Sequence, residues 1–149
     1  MTMRLNYGVA APEAVKALLA LEDTVKSMGL EPKLIHLIKL RASQINGCAY
    51  CINMHNQEAR ADGETQQRLD LLSVWRETNF FDEREKAALA WTEAVTLIAE
   101  TNAPDAEYEA LAAVFDEREQ AAIMLAIAAI NGWNRFSVGF RSPVPRARA

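Results

Sequence analysis

Apolar residues recur at helical spacing along almost the whole chain. From Pro12 to Met28 the apolar positions Val15, Leu18, Leu19, Leu21 and Val25 follow the three-to-four-residue period of an amphipathic helix, and Gly29 ends it. Pro32 is suited to the first position of a second helix, where its missing N–H is not needed. That helix carries Leu34, Leu37, Ile38 and Ile45 and stops at Asn46-Gly47, a pair that accepts a left-handed C-terminal conformation. A third helix is predicted from near Cys48 to Asp62-Gly63, and a fourth over about Glu64 to Arg76. Two further helices open with nearly the same words, FDEREKAA at 81–88 and FDEREQAA at 115–122. Each holds an Asp-x-x-Glu capping box, Asp82 with Glu85 and Asp116 with Glu119, whose carboxylates satisfy free N–H groups at the helix start. The likeness ends after the first turns and has no third copy, so it does not make a solenoid. Asp105 to Val114 forms a short helix after the Asn102-Ala103-Pro104 break. The last helix, about Glu117 to Phe136, is apolar on nearly all sides over residues 121–130, which predicts burial all round, at the centre of the domain or against another subunit.

No run of alternating β-branched or aromatic residues bounded by hairpin turns appears. The expected fold is therefore all-α: one domain over residues 1–149, a helical bundle of about six to seven helices. Composition agrees, with 149 residues, half of them apolar, and only six Gly and five Pro, enough for an ordinary hydrophobic core without a disulfide or metal staple. The net charge of −4 argues against nucleic acid as a partner. A basic Pro/Arg tail from about residue 141, with Arg141, Arg146 and Arg148, reads as a solvated terminus. The longest apolar run, AAIMLAIAAI at 121–130, is half of the roughly 20 residues that span a bilayer, and the amino-terminal stretch, broken by Glu13 and Lys16, does not read as a secretory signal. These features point to a cytoplasmic protein with no membrane partner.

The rarest residues are concentrated. Both Cys and both His lie between His36 and His55. In a reducing compartment a Cys pair is more often catalytic or metal-binding than a structural staple. At about 100° per residue, Cys51 lies about 60° from Cys48 around the helix, His55 about 40° from Cys51 and about 20° from Cys48. All three share one face, with the sulfurs within disulfide reach and the imidazole one turn behind. At a helix N-terminus, Cys-x-x-Cys thiols can have pKa values lowered to about 3.5–7.5, and an imidazole can move the thiol proton. Three chemistries fit: a dithiol redox cycle through a sulfenic acid or mixed disulfide, a zinc site from two Cys and two His, and small buried Cys with a satisfied His that only fill space. The zinc layout is irregular, because His36 precedes the Cys pair on another helix.

The segment from Leu34 to Cys51, LIHLIKLRASQINGCAYC, followed by His55, closely resembles the AhpD-like alkylhydroperoxidases of the carboxymuconolactone decarboxylase superfamily. Trp91-Thr92-Glu93-Ala94 and Asn131-Gly132-Trp133-Asn134-Arg135 resemble later stretches of the same family. The resemblance implies an AhpD-like helical fold, a homo-oligomer (trimer or hexamer), and a dithiol peroxidase with no cofactor or resident metal. Its substrates would be hydrogen peroxide or organic hydroperoxides, and its electrons would come from a dithiol donor such as a lipoyl protein, thioredoxin or a small thiol. It also implies roles: Cys51 as the peroxidatic thiol, Cys48 as proton donor and resolving thiol, and His55 in the proton relay. A non-redox decarboxylase on the same scaffold is disfavoured, since a Cys pair has no task in that reaction; a redox-sensing or metal-binding oligomer using the same Cys pair is the alternative. This chain departs from the pattern at His36, where relatives often carry a Glu; an imidazole can still shuttle a proton but cannot supply that fixed negative charge, so His36 is either a relay member or a helix-surface or hydrogen-bonded structural residue, and it stands apart from Cys48, Cys51 and His55 on the preceding helix. Trp75, Trp91 and Trp133 are expected as core or subunit-interface anchors, Asn131, Asn134 and Arg135 as partners for buried backbone or neighbouring helices, and Tyr50 is a candidate for the pocket mouth.

Overall fold

The computed structural model describes residues 1–146; the tail position Arg148 lies outside them. Among the described residues there are nine α-helices and no strand: α1 Tyr7–Ala10, α2 Pro12–Ser27, α3 Pro32–Ile45, α4 Ala49–Ala61, α5 Gln66–Leu71, α6 Glu83–Thr96, α7 Ile98–Thr101, α8 Asp105–Ala112 and α9 Glu117–Phe140. The count exceeds the expected six to seven because α1 and α7 are single turns of four residues each. The first is started by Asn6, whose side chain accepts from the Val9 N–H. Both capping boxes form as the sequence predicts, Asp82 with Glu85 and Asp116 with Glu119.

The centre of the bundle is α3. It packs against α4, α6 and α9, with α2 laid on α9 and α8 on α6. Eight of its fourteen residues are buried, among them Leu34, Ile35, Leu37, Ile38 and Leu40, and at roughly 1.5–3 kcal/mol per fully buried aliphatic side chain it anchors the fold. Its two sides feed two parts of the core. Ile35 and Ile38 join Val25, Trp91, Phe115, Ile123 and Ile127, while Leu37 and Leu40 join Leu69, Leu72, Trp75, Phe81 and Leu89.

Two expectations change. The fourth helix does not run through to Arg76 as an α-helix; α5 ends at Leu71 and the chain tightens into a 3₁₀ turn over Leu72–Glu77. The buried positions there are Leu69, Leu72 and Trp75, spaced by three, a stripe that the three-residue period keeps on one side, and Val74 departs from helical backbone geometry within it. Nor is α9 buried all round. Ala122, Ile123, Ala126, Ile127, Ala129 and Ile130 face inward, while Ala121, Met124 and Ala128 are exposed. By length and composition α9 could cross a membrane, yet its inner face is part of the core and its outer face is mostly alanine, whose small methyl group leaves little apolar surface in water. The segment before α1 meets the end of α9: the Arg4 N–H donates to the Phe140 carbonyl at 2.9 Å and the Arg4 guanidinium to the Gly139 carbonyl at 3.1 Å.

Candidate active site

The site is built on the turn between α3 and α4. Gly47 adopts φ +65°, a left-handed conformation that L side chains disfavour. The next N–H, that of Cys48, turns back to the Ser43 carbonyl at 2.9 Å. Side chains from α9 brace this turn: Asn46 donates to Asn131 and Asn134, both at 2.9 Å, and Asn134 donates to the Ser43 hydroxyl at 3.0 Å. Asn131 also reaches Thr96 on α6. Asn131 and Asn134 are thus the inter-helix partners expected of them, and Arg135 is an exposed donor to the Asn131 carbonyl. Ser43 and Asn134 are almost fully buried, where polar groups need such partners.

Cys48 is the N-cap of α4, and its sulfur accepts from the Cys51 N–H at 3.3 Å. The two cysteines are joined as a disulfide, with Cα atoms 5.3 Å apart, inside the range that a bridge can span. Both are 1% exposed. Ala42 and Ile130 share their buried cluster, and Tyr50 and Trp133 pack against that cluster. Trp75 and Trp91 are core residues as expected; Trp133 is only partly buried.

One turn beyond the pair, His55 is 4% exposed and its Nδ1 lies 2.8 Å from Glu58 Oε2. That hydrogen bond holds the Glu58 carboxyl below its ordinary range against the opposing effect of partial burial, with further help from the positive charges nearby. With Glu58 ionised, its oxygen accepts, and the proton of this hydrogen bond sits on His55 Nδ1.

His36 does not stand apart. Its Nε2 lies 2.6 Å from Asp62 Oδ2, and a ring nitrogen of His36, one of His55 and a carboxylate oxygen of Glu58 all lie within 4.8 Å of one another. Neither cysteine sulfur belongs to this group, so the zinc site of two Cys and two His weighed from the sequence is not assembled. Beside it Lys39 is paired with Glu22 in a buried ion pair.

Above these groups opens a cavity of about 1010 Å³. Its floor holds His36, Lys39, His55 and Glu58, and its walls include Leu19, Tyr50, Met54 and Trp133. The amino-terminal arm contributes Met3 and Leu5, and Ser142 and Pro143 close one side, so the start of the expected solvated tail is part of a wall. The cysteines do not line the cavity. Tyr50 and Trp133 line the cavity and also pack against the buried cluster that holds the disulfide.

Four groups have no role assigned from the sequence. Glu58 could have been found, since three residues after His55 it falls on the same helix face. Asp62 and the Glu22–Lys39 pair depend on helix packing. Glu93 accepts from Arg41 at 2.7 Å, from the Trp75 indole at 2.9 Å and from Arg76. Burial pushes its carboxyl up, and the bonds from Arg76, Trp75 and Arg41 together outweigh that and leave it below the ordinary range. It ties α6 to α3 and to the 3₁₀ turn.

A model of the carboxymuconolactone decarboxylase family matches residues 12–94. The uncharacterized protein YdfG of Bacillus subtilis is 41% identical over 138 residues, covering 93% of this chain and 94% of that one. The crystal structure of a protein of unknown function from Agrobacterium tumefaciens, suggested to be an antioxidant defence protein AhpD, is 55% identical over 98% of this chain and all of that one, with a TM-score of 0.95. The debrominase Bmp8 shares the fold at 21% identity, with a TM-score of 0.79 over 90% of this chain and 72% of its own.

Proposed function

The chain belongs to the carboxymuconolactone decarboxylase family, and within it we propose that it is a thiol-dependent peroxidase of the alkylhydroperoxidase type. The observation that carries the proposal is the bonded Cys48–Cys51 pair at the start of α4, one turn ahead of a histidine oriented by a carboxylate. With the pair reduced, the helix N-terminus favours the thiolate. The Cys51 thiolate attacks one oxygen of the hydroperoxide; the O–O bond breaks, the sulfur becomes a sulfenic acid, and the departing alkoxide takes a proton from the imidazolium of His55. Cys48 then attacks the sulfenic sulfur, water leaves, and the disulfide forms. A dithiol donor such as a lipoyl protein, thioredoxin or a small thiol returns two electrons and two protons by exchange.

In this scheme Glu58 supplies the fixed negative charge that His36 cannot. It stabilises the His55 imidazolium from the next turn of the same helix, and His36 with Asp62 forms a second carboxylate–imidazole pair beside it. The apolar walls of the cavity favour an organic hydroperoxide over hydrogen peroxide. The protein works in the cytoplasm, where the donor is available, as a homo-oligomer, and the exposed Met124 side of α9 suits a subunit contact.

The test is consumption of cumene hydroperoxide by purified protein with a dithiol reductant, beside its Cys51→Ser variant. Turnover by the wild type and its loss in the variant are expected. Equal rates sink the proposal.

A further inference from the structure

We propose that His36, His55 and Glu58 form a binding site for one late first-row divalent cation, with Zn²⁺ as its probe. Their ligand atoms lie within 4.8 Å of one another, whereas atoms bound to a tetrahedral zinc at 2.0–2.2 Å sit roughly 3.3 Å apart. The site must therefore contract by about 1.5 Å at most, and Glu58, whose side chain is half exposed, is free to swing. The donor set of two imidazoles and a carboxylate matches Zn²⁺, Fe²⁺, Co²⁺ or Ni²⁺, not Ca²⁺ or Mg²⁺, which prefer oxygen alone.

Two further features support a ligand role. His36 Nδ1 is buried and has no hydrogen-bond partner among the described residues, while its Nε2 is engaged by Asp62. A carboxylate on one ring nitrogen fixes the tautomer and leaves the lone pair on the other, the arrangement that orients metal-binding histidines. All three ligands also line the cavity, so a fourth coordination position would open into it. The nearby positive charge, Lys39, is neutralised by Glu22, and Glu58 and Asp62 leave the surroundings net negative.

A bound cation takes the lone pair that makes His55 a base, so occupancy would silence the site without touching the sulfurs.

The experiment is titration of full-length, oxidised protein with Zn²⁺ in competition with a chromophoric chelator, repeated on the Cys48→Ser/Cys51→Ser double variant. The disulfide in one sample and the serines in the other remove thiolate ligands, so the result does not depend on peroxidase activity. One Zn²⁺ per chain is expected in both samples. Asp62→Asn should weaken it roughly 10–100-fold, and His36→Ala and Glu58→Gln at least as much; Glu58→Gln, on a half-exposed side chain, guards against a misfolded His36 variant. Less than one-tenth equivalent of Zn²⁺ bound, or affinity unchanged in a folded Glu58→Gln and His36→Ala, overturns the proposal.

Discussion

Replacing Asn134 with alanine removes the side chain that ties α9 to the turn before the cysteines. Asn134 is 1% exposed, accepts from Asn46 at 2.9 Å and donates to the Ser43 hydroxyl at 3.0 Å. Losing a hydrogen bond while its partner stays buried costs about 1–3 kcal/mol. Ser43 is fully buried and falls towards the upper end. Asn46 is partly exposed and keeps Asn131, so it falls towards the lower end. The expected destabilisation is about 3 kcal/mol, which at 2–4 °C per kcal/mol for a domain of this size lowers Tm by about 6–12 °C. Thermal unfolding followed by circular dichroism, with the disulfide intact and protein concentration fixed, reads this directly. The exposed Arg135 is the control, and Arg135→Ala should stay within about 0.5 kcal/mol of wild type. If Asn134→Ala lowers Tm no more than the control does, the buried network does not hold the turn and the reasoning fails.

Three other substitutions probe the same framework. Gly47→Ala meets no atom within 4 Å of the added Cβ, so only the left-handed backbone opposes it; a cost of about 1–2 kcal/mol should appear in urea unfolding, and Gly47→Asn should recover part of it. Glu93→Gln keeps the shape but weakens the bonds to Arg41, Trp75 and Arg76, for a loss of about 1.5–3 kcal/mol at neutral pH. Because the folded Glu93 carboxyl lies below its ordinary value, its contribution is complete above the unfolded carboxylate range near 4.3 and is lost as pH falls through the lower, folded value. The gap between wild type and Glu93→Gln should therefore close in acid, and a gap independent of pH contradicts the ion pair. Trp133→Ala removes a side chain packed against the cluster that holds the disulfide, so dithiothreitol should release thiols faster; an unchanged rate means that Trp133 does not limit access.

What the sequence revealed depended on whether the governing contacts were local. The capping boxes at Asp82 and Asp116 were legible because each is completed within four residues, and Cys48, Cys51 and His55 because they share one helix. The 3₁₀ turn after Leu71 was not, since Leu69, Leu72 and Trp75 are drawn onto one stripe by Leu37, Leu40 and Leu89, contacts that no local rule anticipates. The outer face of α9 misled for a related reason: alanine counts as apolar in a periodicity reading but leaves little surface to bury.

His36 lies between these cases. It belongs to a different helix from His55, yet α3 and α4 are joined by a short turn and run antiparallel, as the contacts from Ser43–Cys48 near the turn to Lys33–Gly63 at the far end demonstrate. In such a hairpin, residues equally distant from the turn meet. His36 stands eleven residues before Gly47 and Glu58 eleven after it, while Lys39 and His55 each stand eight away. Because each helical residue advances about 1.5 Å, those equal distances bring the floor of the cavity together. A helix assignment with its turn located thus already implies a second histidine beside the first. Position 36 thus faces the site, and an imidazole there, in place of the Glu that the family resemblance leads one to expect, adds a second ring nitrogen beside that of His55, the pair on which the proposed cation site rests.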